Sequence, residues 1–361
     1  MTGIDSSGFA RSQLEAGFER FSREKYQRAA WRAYGSEPDG YAVATWAQMA
    51  QLGWLALGLP ESVGGMGACV RDLLPLFIAA GQGLWREPLL QALGDACGAL
   101  LALPGSVTRD HLLSGVINGD RRVAFPCPQF TSTISVHARR EDLRGFVARG
   151  RASHVVGGVT CTDLIIPVDG EGASTRLLAV SRGAPGVSVV ASYTIDSRVV
   201  SHVDLNTTPA HLIGCGDVLL GARRRSTLLA VAEETGIMNA ATAMTISHLQ
   251  NRRQFGHPLA EFQVLRHRVA EMHILKTETA ACLWAAARVY DEQGEGLDSR
   301  LLRLRVQAAH AARFVTQQAI QLHGAMGMTG GMAIGDYYKR VLMLNSCYLR
   351  PEAAAQSLAG G

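Results

Sequence analysis

Lysine is almost missing from this 361-residue chain, occurring only as Lys25, Lys276 and Lys339, so arginine carries nearly all of the positive charge. The arginines are scattered rather than gathered in blocks, and the formal net charge is only +4. A nucleic-acid surface is therefore not indicated. The seven cysteines, at 69, 97, 127, 161, 215, 282 and 347, form no C-x-x-C pair and no metal-ligand spacing. That excludes a resident metal of the zinc-finger kind and reads as free, mostly buried thiols in a reducing compartment. No apolar run reaches eighteen residues without a charge, so no membrane span is expected. The N-terminus carries Asp5 and soon turns amphipathic, unlike a signal peptide, and a cytoplasmic location is expected. What is there is a globular balance, 47% hydrophobic and 18% charged, in a chain longer than one ordinary core. Two or three packed subdomains follow.

Residues 1–121 read as a helical block. Leu14, Phe18 and Phe21 recur at helical spacing, as do Trp46, Met49, Leu52 and Leu55, with further helices from Leu73 to Ala80 and from Leu89 to Leu103. Between them lies Gly64-Gly65-Met66-Gly67; no Lys-Ser/Thr follows it, which excludes a Walker phosphate site and leaves a tight turn. Over 122–215 short apolar runs alternate with Gly, Asp and Pro: Val155-Val156, Leu164 to Val168, Leu177 to Val180, Val187 to Val190 and His202 to Leu205. Strands so spaced, with no helix between them, predict a small antiparallel barrel or sandwich. Over 216–361 the helical period returns, with Ala308, Ala311, Ala312 and Val315 as a small-residue seam, and a four-helix bundle is expected.

The stretch from Glu233 to Met272 organises the rest. Ile237, Ala240, Ala241, Met244 and Leu249 mark one buried helix and Phe262, Leu265, Val269 and Met272 a second, and Asn251-Arg252-Arg253-Gln254-Phe255-Gly256-His257-Pro258-Leu259 joins them. Such a corner suits an anion: arginine supplies a planar, permanently charged fork, Phe255 a stacking face, and Gly256 a close backbone approach.

This corner, followed by Phe262-Gln263, resembles the R-x-x-F-G and F-Q elements of the acyl-CoA dehydrogenase family. The Leu52 to Glu61 run with Gly64-Gly65-Met66-Gly67, and Gln321-Leu322-His323-Gly324-Ala325-Met326-Gly327 against Q-x-h-G-G-x-G, resemble it too, with Ala325 in place of the second motif glycine. The resemblance implies an α+β chain with an N-terminal helical domain, a middle β domain and a C-terminal helical bundle. It implies FAD as cofactor, with Arg253 (or Arg252), Gln254, Phe255, Gly256, Gln321, Gly324 and Ala325 reaching the adenosine-diphosphate half of a flavin bound mainly by a neighbouring subunit. The implied reaction is α,β-desaturation of an acyl-CoA, passing electrons to an electron-transfer flavoprotein or oxygen. A CoA-binding arginine is not assignable, although Arg223, Arg224 and Arg225 precede the first helix suggestively.

That chemistry needs a desolvated carboxylate to take the α proton. The family's positions for it fall on Ser226 and Tyr348, neither an acid, and Glu233 and Asp336 are weak substitutes nearby. The family's flavin-ring strands are eroded as well. Val123 to Phe130 contains Pro126 and Pro128, which lack backbone donors, and Arg151-Ala152-Ser153-His154-Val155 lacks the flanking tryptophan, although Leu143-Arg144-Gly145 keeps a family-like turn. Elements that serve a neighbour's flavin are kept, whereas those serving the chain's own are lost. The expectation is a non-catalytic subunit paired with a same-family partner. A homomeric flavoenzyme with a relocated base or altered chemistry, or a flavin-free scaffold, are the other two readings.

Overall fold

The computed structural model describes residues 6–38, 40–126, 139–141, 145–169, 175–348 and 350–359. The first block holds α1 (Ser6–Lys25), α2 (Arg28–Tyr34), α3 (Val43–Gln51), α4 (Val70–Gly83), a π-helical turn (Leu90–Ala96) running into α5 (Cys97–Leu101), and α6 (Val107–Ile117). The helical spacing of Phe18 and Phe21 puts both rings inward against Trp54, with centroids 4.8 and 4.9 Å away and edges toward the indole. Edge-on aromatic packing of this kind adds about 0.5–1.5 kcal/mol per pair beyond burial.

Among the described residues the middle block is one curled sheet: β1 (Val123–Ala124), β2 (Arg139–Glu141), β3 (Gly145–Val156), β4 (Asp163–Asp169), β5 (Thr175–Ser181), β6 (Val187–Tyr193) and β7 (Val199–Gly216), in the order β1-β4-β5-β7-β3-β2 with β6 on β7. It departs from the all-antiparallel expectation at β1, which lies parallel to β4. The run at His202 to Leu205 is the middle of a much longer strand. β7 pairs with β3 and β6 along its first part and with β5 at its end, so it joins both halves of the sheet. Register shifts in β3, between Ala148 and Gly150 and between Ala152 and Val155, bend the sheet there.

The last block is α7 (Val218–Asn251), a short hairpin of β8 (Arg253–Gln254) and β9 (His257–Pro258), α8 (Gln263–Asp291), α9 (Leu297–His323), α10 (Ile334–Cys347) and α11 (Pro351–Ala359). The alanine seam of α9 is fully buried. One apolar core runs continuously through both helical blocks, and a smaller one lies within the sheet. Among the described residues no helix is long and apolar enough to cross a membrane and no His/Cys/Asp/Glu group is arranged to hold a metal ion. Of the cysteines, Cys97, Cys161 and Cys347 are buried but Cys215 and Cys282 are exposed, so burial is less general than expected.

Candidate functional site

The Asn251 to Leu259 corner folds as a tight hairpin in which Arg253 pairs with Pro258 and Gln254 with His257. Its base is pinned by the Arg252 N–H donating to the His248 carbonyl and the Leu259 N–H donating to the Arg252 carbonyl, both at 2.8 Å. Phe255 sits at the tip with a positive φ of 55° and is 88% exposed, its ring edge-on to Phe262. Across from the hairpin, α9 ends at Gly324, whose φ of 60° and ψ of −144° only glycine adopts readily.

Between these elements opens a cleft of about 520 Å³ lined by His248, Arg252, Gln254, Arg268, Gln321, His323, Gly324 and Ala325, with Leu259, Val264, Leu265, Leu322 and Met326. No carboxylate lines it. Two arginines and two amides therefore offer donors without internal neutralisation, the chemistry that holds a phosphate or diphosphate. His248 and His323 stack at 4.4 Å beside it, and the Nδ1–H of His323 donates to the Ala319 carbonyl at 2.8 Å. Burial, then the His323 ring and Arg252, hold the His248 imidazolium form below its usual range. Of the sequence-derived residues, the structure brings Gln254, Gln321, Gly324 and Ala325 together. It brings Arg252 rather than Arg253 to the cleft; Arg253 lies in the β8–β9 pairing and does not line it. Phe255 and Gly256 stand at the hairpin tip and do not line it.

Ser226 and Tyr348, where the base was expected, lie elsewhere, both against the π-helical turn Leu90–Ala96. Ser226 on α7 and Tyr348 beyond α10 are 1% and 3% exposed. The Tyr348 hydroxyl donates to Asp95 Oδ2 at 3.2 Å and accepts from Gln91 Nε2 at 2.6 Å. Burial pushes the Asp95 carboxyl up to about 8, against the opposing pull of the Ser226 and Tyr348 hydroxyls. Asp95 was not singled out from the sequence, yet a signal existed. It is the one charged residue in the apolar run from Leu89 to Leu103, where an unpaired acid is out of place.

The substitute acids are engaged otherwise. Glu233 accepts from Arg340 Nη1 at 2.6 Å inside a buried network, where Arg340 Nε and Arg198 Nε also donate to Asp196, at 2.6 and 2.8 Å. Asp336 pairs with Arg28 at 2.5 Å and more loosely with Lys339. Neither is presented to a cavity as a base. The basic run after α7 begins also divides: Arg223 is exposed, Arg224 pairs with Asp298 at 2.7 Å, and Arg225 is buried, donating to the carbonyls of Leu93 and Gly58 at 2.6 and 2.9 Å. His154, standing where the family's tryptophan was sought, has a φ of 56° and packs edge-on to His202. Residues 127–130 of the proline-bearing strand and Leu143-Arg144 of the family-like turn lie outside the described residues.

Residues 10–101 match the family model of the acyl-CoA dehydrogenase N-terminal domain and residues 223–346 that of the C-terminal domain. Relatives include the acyl-CoA dehydrogenase FadE27 of Mycobacterium tuberculosis, 25% identical over 303 residues and covering 81% of each chain. The acyl-CoA dehydrogenase IpdE2 of Mycolicibacterium smegmatis is 26% identical over 303 residues, 83% of this chain and 82% of that one. Among solved structures, the Tcur3481-Tcur3483 steroid ACAD G363A variant superposes with a TM-score of 0.87 at 23% identity, covering 98% of this chain and 97% of that one. The ChsE4-ChsE5 complex from Mycobacterium tuberculosis gives 0.86 at 22% identity, covering 99% and 96%.

Proposed function

The chain belongs to the acyl-CoA dehydrogenase family, and we propose that it serves there as a subunit completing the FAD site of a same-family partner. The observation that carries this reading is an asymmetry. The cleft at the hairpin has a lining free of carboxylates among the described residues, and on our reading of the sequence Ser226 and Tyr348 take the place of the base. Arg252, Gln254, Gln321 and the backbone at Gly324 and Ala325 would hold the diphosphate half of FAD; Arg268 lies on the far wall, with Nη1 donating to Gln318 at 3.1 Å. FAD, when bound, supplies the acceptor for hydride from the acyl β carbon. This chain contributes binding and orientation, and the partner contributes the proton abstraction. Electrons would leave to an electron-transfer flavoprotein or to oxygen.

Two structural neighbours support a two-component assembly acting on a bulky acyl group: one is titled a ChsE4-ChsE5 complex, the other a steroid ACAD carrying two component names. The test is the visible spectrum and FAD content of this chain purified alone and after co-expression with a same-family subunit. Colourless alone and flavin-loaded together is the expected result. A stable, flavin-bound homomer that turns over an acyl-CoA by itself would sink the proposal.

A further inference from the structure

We propose that Tyr348, braced by Gln91 and Asp95, plugs the acyl cavity of this chain, so that an assembly containing it takes acyl-CoA only in the partner's site. The inference rests on the half-site reading, but its geometry is its own. A base must lie within hydrogen-bond reach of the α proton it removes, so an acyl group served from the position of Ser226 or of Tyr348 has to come up to that side chain. Tyr348 meets the carboxyl of Asp95 on a third element, the π-helical turn Leu90–Ala96, and Ser226, whose hydroxyl donates back to the Ala222 carbonyl at 2.7 Å, packs against the same turn at Gly94. Gln91 and Asp95 fall one turn apart there, and the Gln91 amide donates to the Tyr348 hydroxyl, which donates on to Asp95. All four side chains are 3% exposed or less.

The walls around them are closely packed too. A Cβ placed on Gly94 would lie 3.2 Å from the Ser226 Cα, and one on Gly98 would lie 2.9 Å from the Ala222 Cα. The π turn and α5 thus pack closely on the α7 backbone at Gly94 and Gly98. Asp95 Oδ1 and Gln91 Oε1 have no hydrogen-bond partner among the described residues. Such orphan atoms are tolerated more readily when the carboxyl is protonated and uncharged, which agrees with its pKa being raised by burial.

The experiment is calorimetric titration of the full-length chain with octanoyl-CoA, with CoA alone as control. The wild-type chain is expected to show no saturable binding above CoA, and Tyr348→Ala to bind octanoyl-CoA at least tenfold more tightly than wild type. Should that variant fail to fold by thermal melt, Gln91→Ala withdraws the brace from the other side and is expected to gain binding in the same direction. One octanoyl-CoA per wild-type chain, or folded variants that gain nothing, would overturn the plug. So would homomeric turnover abolished by Asp95→Asn, which would make Asp95 a base. The half-site reading fails separately, through flavin content that does not depend on this chain.

Discussion

Arg252 and Arg253 are adjacent and chemically identical, yet Arg252 lines the cleft and Arg253, paired in the β8–β9 hairpin, does not. A hydrogen bond from a charged donor contributes about 1.5–3 kcal/mol. Arg252→Ala in the co-expressed assembly should therefore lower flavin affinity about tenfold or more, read as the FAD-to-protein ratio after gel filtration, with Arg253→Ala leaving it within twofold. Asp95 makes a second prediction. Its folded pKa of about 8 lies above that of an unfolded aspartate near 4. Between those values the folded chain holds the extra proton, so this group's contribution is full below about pH 4 and is lost as pH rises through 8. Urea denaturation at pH 5 to 8 should show a loss of up to about 1.4 kcal/mol per pH unit from this group, and Asp95→Asn should flatten it. Asp196 acts in the opposite sense. Burial would raise its carboxyl, but Arg198 and Arg340 hold it well below the usual range, so its stabilisation is lost as pH falls below about 4.

Among the elements, α4 and α7 cross at a pair of glycines. A Cβ on Gly81 would lie 2.0 Å from the Glu233 carbonyl oxygen and one on Gly236 would lie 1.9 Å from that of Ile78. Helix periodicity identifies both helices but says nothing about how near their backbones approach. Gly236→Ala should cost about 3 kcal/mol or more by overpacking, against a change within about 0.5 kcal/mol for Gly183→Ala, which has open space around it. Equilibrium denaturation of the two variants checks the contrast. The sheet follows the same logic: the apolar runs of β4 and β5 and the alternation of β6 are local and legible. That β7 runs on from Val199 to Gly216 depends on three separate partners and is not.

For the whole molecule, the three blocks are tied by buried charge. Arg340 on α10 reaches Glu233 on α7, Asp196 in the β6–β7 connection and the Trp85 carbonyl beyond α4, while Arg86 donates to the carbonyls of Trp31 and Ser197. Burial, then the neighbouring Arg340, lowers the Arg86 guanidinium to about 10, in keeping with three arginines set against two acids. Arg340→Ala would strand the buried Glu233 carboxylate and leave Asp196 with Arg198 as its remaining arginine, and should cost about 3–5 kcal/mol. The exposed Arg151–Asp204 pair should contribute no more than about 1 kcal/mol when Arg151 is replaced by Ala. Thermal melts of both variants measure the difference.

Periodicity and turn residues by themselves determined the helix-strand-helix order and the hairpin corner, because each is written in a few neighbouring residues. Tertiary structure alone decided which arginine meets the cleft, that Glu233 belongs to Arg340, and that Gln91, Asp95, Ser226 and Tyr348 share one buried site. Those outcomes depend on where distant backbones come to rest, and close packing between remote segments leaves no period in the sequence.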